Sequence, residues 1–149
     1  MNVPQNTIDL VTAFEGFYPK PYICPAGVPS IGYGTIRYPD GKRVSLKDPE
    51  ISKQTAELYM AHELERNLAE ALRICPILLM TPETWLGAIV DFIYNLGAGN
   101  FQNSTLRRKI NAEEWDDVPY QLSRWVYGGG KILKGLVLRR QAEGAFFDG

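Results

Sequence analysis

The sequence predicts an α+β fold in which a small antiparallel sheet near the N-terminus is followed by a run of helices. Three observations carry this reading. Residues 17–48 are broken by prolines at 19, 21, 25, 29 and 39 and by glycines at 27, 32, 34 and 41, which excludes a helix there. Leu64, Leu68 and Leu72 then repeat every four residues. Finally, Trp85, Ile89, Phe92 and Leu96 make an i, i+4, i+7, i+11 stripe that closes at Gly97.

Each element follows in order. Asn6 and Thr7 are suited to cap a first short helix whose stripe is Ile8, Val11, Phe14 and Glu15 and whose end is Gly16. Between the proline and glycine breaks lie β-favouring pieces at 22–23, 30–33, 35–38 and 42–44, with Asp40-Gly41 as a hairpin signal. These predict a sheet of two or three strands. A long helix is expected over about 52–73, closed by Pro76. Thr81-Pro82 reads as an N-cap and first helical position for the apolar helix that ends at Leu96. Asn103-Ser104 caps a helix bearing Leu106 and Ile110, and a further helix is expected over 113–125 with Pro119 as its candidate break. Gly128 to Gly130 reads as a loop, and Gly135 to Phe147 as the last helix. The long helix after the sheet is placed to join two lobes with a cleft between them. The expected organisation is a single domain over 1–149, with a sheet-bearing lobe at about 15–50 and a helical lobe at about 76–149 that includes the N-terminal helix.

Composition narrows the function classes. The chain has 149 residues, of which 45% are hydrophobic and 22% charged, enough to bury a sizeable core. Sixteen basic and seventeen acidic residues nearly cancel, so charge gives no case for nucleic acid or membrane binding. Cys24 and Cys75 are too few for a disulfide framework, and a reduced pair is expected. With His62 the sole histidine and no Cys-x-x-Cys, no metal site is expected. Nothing at Met1 to Asn6 reads as a secretory signal, and no long apolar run predicts membrane insertion.

The candidate chemistry begins at Glu15. It sits between Phe14 and Phe17, and apolar surroundings favour a carboxyl's neutral form, the state a general acid for glycoside cleavage needs. The segment Ser30-Ile31-Gly32-Tyr33-Gly34-Thr35 offers two hydroxyls on a backbone that glycines let approach a ligand closely. Taken singly, each feature also reads as ordinary structure. Glu15 reads as a surface glutamate at a helix end, the glycine segment as a bulged hairpin, Asn95 and Ser104 as helix-end hydrogen bonders, and Trp85 and Trp125 as core. The basic run Arg107-Arg108-Lys109 reads as an exposed face, or as a help in meeting an anionic surface.

Taken together they resemble the phage-type lysozymes, glycoside hydrolase family 24. Glu15-Gly16, Cys24 nine residues on, Ser30 six later and then Ile31-Gly32-Tyr33-Gly34 are similar to that family's active-site segment. Tyr94 to Phe101 with Asn103 to Leu106 resembles a second family block. Arg124 to Lys131, continuing through Gly135-Leu136-Val137 to Arg139-Arg140-Gln141-Ala142-Glu143, resembles a third. The blocks run in order from Glu15 to about Phe147, and the nearest look is to endolysins of tailed phages of Gram-negative bacteria. Three departures stand out: Cys24 where the family usually has aspartate and in some members cysteine, Ser30 in place of threonine, and Thr35 where histidine is frequent.

The resemblance implies a lysozyme-like fold and a muramidase that hydrolyses the β-1,4 bond between N-acetylmuramic acid and N-acetylglucosamine. It implies Glu15 as acid, Cys24 and Ser30 beside it, and substrate contacts from Tyr33, Gly34, Thr35, Asn95, Ser104 and Arg140, with one of Arg139 and Arg140 approaching Glu15 or the lobe interface. No cofactor is implied. The implied partner is peptidoglycan, met by a monomer that waits in the host cytoplasm until a holin releases it to the periplasm and wall. Two other readings remain open at this point: a non-catalytic wall-binding relative, and a lytic transglycosylase.

Overall fold

The computed structural model describes residues 1–148, and the elements fall in the expected order. Helix α1 (Gln5–Glu15) leads into strands β1 (Tyr18–Ile23) and β2 (Pro29–Gly32). Helices α2 (Lys53–Ile74), α3 (Glu83–Leu96), α4 (Ala98–Gln102), α5 (Thr105–Asn111) and α6 (Val118–Ser123) follow. A two-residue hairpin, β3 (Tyr127–Gly128) with β4 (Lys131–Ile132), precedes α7 (Lys134–Ala145). Short 3-10 turns at Pro76–Met80 and Trp115–Asp117 join α2 to α3 and α5 to α6. No helix among the described residues is long and apolar enough to cross a membrane.

Helix α3 is the axis of the core. Every residue from Leu86 to Ile93 is buried, and α1, α2 and α7 pack around it. An apolar helix of 14 residues cannot stand in water, and enclosing it on several sides is what its composition dictates. The core runs from Val11 and Tyr33 through Ala56, Met60 and Leu64 of α2 to Leu106, Ile110 and Leu122. The Leu64, Leu68 and Leu72 row turns α2 toward α3, with Leu64 and Leu68 buried and Leu72 partly so.

Some local expectations are revised. Asn6 and Thr7 do not cap α1, which starts behind Pro4 with no side-chain cap. Proline has no N–H to satisfy and fits there. Asn6 Nδ2 donates to the Thr84 carbonyl at 2.9 Å and Thr7 Oγ1 to the Gly87 carbonyl at 2.8 Å, so both tie α1 to α3. Likewise Thr81 donates back to the Leu78 carbonyl, and Pro82 takes the cap position. Ser52 and Ser104 are true N-caps, accepting from the N–H of Thr55 and Arg107. Pro119 stands in the first turn of α6 rather than interrupting it. The sheet has two strands, while the Asp40-Gly41 hairpin forms only an isolated bridge between Arg37 and Arg43. Gly128 to Gly130 is the β3–β4 turn region and not an open loop. Cys24 and Cys75 are both free thiols, Cys75 buried behind α5, where burial pushes its thiol up to about 12.

Candidate active site

Glu15 is the last residue of α1, and its side chain is 19% exposed, at the point where the helix gives way to the sheet. Its surroundings are not simply apolar. Arg139 of α7 donates from Nη1 to Glu15 Oε2 at 2.5 Å and grips Asp91 of α3 with Nε and Nη2 at 2.9 and 2.8 Å. A forked guanidinium between two carboxylates fixes direction as well as charge. Burial works against the Arg139 charge, but Asp91 and Glu15 outweigh it and hold the guanidinium more firmly protonated than usual.

The other Glu15 oxygen lies against backbone. A β-carbon built on Gly34 would sit 2.5 Å from Oε1, and Gly34 has φ +80°. Gly32, at φ +65°, is pressed against α2 in the same way, with Ala56 Cβ 2.9 Å from where its own β-carbon would be. The Gly-Tyr-Gly turn is therefore close packing on both sides. Between the glycines Tyr33 is buried, its ring 5.7 Å from that of Phe17 and its carbonyl accepting from Tyr94 Oη at 2.5 Å. Thr35 is buried as well. Its hydroxyl lies beside that of Tyr94 without a well-aligned hydrogen bond of its own.

Ser30 lies on β2 directly opposite Tyr22 of β1, so the two side chains share one face of the sheet. The Ser30 hydroxyl donates to the Val28 carbonyl at 3.0 Å, leaving its lone pairs to accept. Cys24 directly follows β1 and is half-buried, its backbone closing a tight turn through Gly27 and Val28. The link between these residues is Tyr22. Its hydroxyl is pushed up to about 12, by burial first and then by the neighbouring Glu15, Tyr18 and Cys24. Sequence reading treated Tyr22 only as part of a strand. The one signal in the sequence was its place two residues before Cys24, while its pairing with Ser30 emerges only in the fold.

The remaining candidates lie on the helical side. Asn95, near the end of α3, accepts from Arg140 Nη2 at 2.7 Å. Arg140 is 2% exposed, with its guanidinium over the Phe92 ring and against Glu143. It is therefore Arg139 that reaches Glu15, while Arg140 faces inward. Ser104 is the α5 cap and also borders a hollow of about 450 Å³ lined by Leu96, Asn103, Thr105, Gln121, Arg124, Trp125 and Tyr127. Trp125 serves both core and hollow, with its edge on Phe92, whereas Trp85 packs on Trp115 and Phe147. Among the described residues no group of three His, Cys, Asp or Glu side chains is placed to hold a metal ion.

The Phage lysozyme family profile matches residues 12–143, a span that contains Glu15, Cys24, Ser30 and both arginines. The chain belongs to the phage lysozyme family. An SAR-endolysin of Bacteriophage PS34 is 40% identical over 131 residues, covering 87% of this chain and 73% of that protein. A solved endolysin from Escherichia coli O157:H7 phage FAHEc1 superposes with a TM-score of 0.85 at 30% identity, covering 99% of this chain and 93% of that one. P22 lysozyme shares the fold, with a TM-score of 0.74 at 24% identity over 100% of this chain and 99% of its own. In this family member, then, Tyr22 faces Ser30 across the sheet and feels the charges of Glu15 and Cys24.

Proposed function

We propose that the chain is an endolysin that hydrolyses the β-1,4 bond between N-acetylmuramic acid and N-acetylglucosamine, with Glu15 as the proton donor. The observation that carries this reading is the fixing of Glu15 between Arg139 and Gly34. Arg139 occupies Oε2, so the proton to be delivered belongs on Oε1. From there it passes to the glycosidic oxygen as the bond to the anomeric carbon breaks. Positive charge then develops on the sugar ring. Cys24 and Ser30, across Tyr22 from Glu15, are the groups that meet it. The Ser30 lone pairs orient the incoming water, and the Cys24 sulfur stabilises the cation or attacks it. Tyr33, Gly34 and Thr35 shape the backbone under the reacting bond. Asn95, held by Arg140, and Ser104 present polar groups to the glycan on the helical side.

This reading takes residues 1–149 as one lysozyme-like domain, the sheet-bearing part and the helical part flanking a groove. It also takes the enzyme to await release from the host cytoplasm by a holin, after which it meets the wall from the periplasmic side. The test is a digest of purified Gram-negative peptidoglycan analysed by mass spectrometry. Hydrolysis yields reducing ends. Anhydro ends would reassign the chain to lytic transglycosylation, and an intact polymer would leave it a wall-binding relative.

A further inference from the structure

Glu143 is a buried acid for which proton donation by Glu15 has no direct use. It is fully enclosed on α7, as is Asp91 on α3, and the two carboxyls lie within hydrogen-bonding reach of each other. Two ionised carboxylates side by side in a dry interior repel. The donors around them are unequally shared. Arg139 occupies both oxygens of Asp91. Arg140 Nη2 donates to Glu143 Oε2 at 3.0 Å. Glu143 Oε1 receives no aligned donor, because Arg140 Nε is 2.8 Å away but off the line of its N–H.

A buried carboxyl oxygen that receives no N–H is the place for the acid's own proton, and Asp91 is the acceptor within reach. The charged and titratable groups facing this cluster are Glu15 from α1, Asp91 and Tyr94 from α3, and Arg139 and Arg140 from α7, with Tyr22 of β1 beyond Glu15.

We propose that Glu143 is a positioning residue, held in the fold as the neutral acid and donating its proton to Asp91, so that Arg139 is kept on Glu15 and Arg140 on Asn95. Burial, followed by the hydrogen bond with Asp91 and the Asp91 charge, pushes the Glu143 carboxyl well above the usual range. The same contact, with Arg139, holds Asp91 below its usual range despite burial. The two ends of the cluster, Glu15 and Asn95, are then set by one proton in its middle.

The consequence for rate rests on Glu15 being the donor, but the protonation itself is read without turnover. In infrared difference spectra at neutral pH, wild type minus Glu143→Gln is expected to show a positive protonated-carboxyl C=O band, which the variant lacks. Positive carboxylate bands in its place would overturn the proposal. On purified Gram-negative peptidoglycan, Glu143→Leu is expected to lower the saturating rate about tenfold, because a displaced reacting group is costly. Glu143→Gln, whose amide still donates to Asp91, should recover most of that loss with the wild-type pH profile. Glutamine as impaired as leucine, or with a shifted acid limb, would refute the role. If Glu143→Leu does not fold, the spectrum and the glutamine profile still decide. If Glu15→Gln hydrolyses normally, the Glu15 reading fails while the infrared band continues to report on Glu143.

Discussion

Gly34 and Glu15 occupy each other's space: a β-carbon at residue 34 would lie 2.5 Å from Glu15 Oε1 and 2.8 Å from its Cδ. The backbone there is also left-handed, at φ +80°. Gly34→Ala therefore meets two penalties. Strain at positive φ costs about 1 kcal/mol or more of stability. Displacing the carboxyl costs rate beyond that. We expect a fold that survives, a slightly lower melting temperature and hydrolysis reduced by at least roughly tenfold. Wild-type activity in this variant would show that Glu15 tolerates movement.

Glu15→Gln keeps the shape of the side chain and removes the proton. General acid catalysis is typically worth about 10²- to 10⁴-fold, so turbidity loss of permeabilised Gram-negative cells should fall to near background. Stability should change little, because Arg139 keeps both bonds to Asp91. Full lysis by the variant would remove Glu15 from the reaction.

These two residues also show what the sequence could tell. The order of elements was legible because its signals are local: prolines and glycines exclude helix, and leucines at every fourth position demand it. Glu15, Cys24 and Ser30 stood out only through the resemblance of their segment to the phage-type lysozymes, not through any local signal of their own. The choice between Arg139 and Arg140 was not legible. Neighbours on a helix point about 100° apart, and which one faces Glu15 depends on how α7 rolls against α3. Asn6 and Thr7 misled for a related reason, since a good capping side chain is equally good at tying two helices together. Asp91 was overlooked although it stands alone in the apolar run from Leu86 to Ile93, where a buried charge demands a partner.

Tyr22→Phe isolates one hydroxyl beside Glu15 and Cys24. The ring stack with Tyr18, at 4.1 Å between centroids, is retained, so folding should be unaffected. If the hydroxyl helps to hold Glu15 or the water, the rate should fall by about fivefold, the worth of one ordinary hydrogen bond. An unchanged rate would make Tyr22 a packing residue.

Cys24 and Ser30 are best tested together. Cys24→Ala removes the sulfur, and Cys24→Asp supplies a carboxylate at the same place. If the sulfur meets the sugar cation, alanine should lose most activity and aspartate retain or raise it. Ser30→Ala should cost a few kcal/mol of barrier if its oxygen orients the water, while Ser30→Thr should be active. Near-wild-type hydrolysis by Cys24→Ala with loss in Ser30→Ala would leave Glu15 and Ser30 as the working pair. The opposite pattern would make Ser30 a strand residue.

The buried acids set how stability responds to pH, and the sign can be worked through. Folded Glu143 keeps its proton well above the 4.5 of an ordinary glutamate. Between 4.5 and its folded value the native chain binds more protons than the unfolded one, so stability falls as pH rises through that window. Asp91 acts in the other direction: lowered from 3.8, it costs stability only as pH falls below that value. Stability contributed by the pair is therefore greatest in mild acid and declines toward neutrality. Glu143→Gln has no proton to lose and should lack this decline. Melting temperatures of both proteins, measured in steps upward from pH 4.5, should show the variant gaining steadily on wild type. A difference that stays constant with pH would mean that Glu143 titrates alike in the folded and unfolded chains.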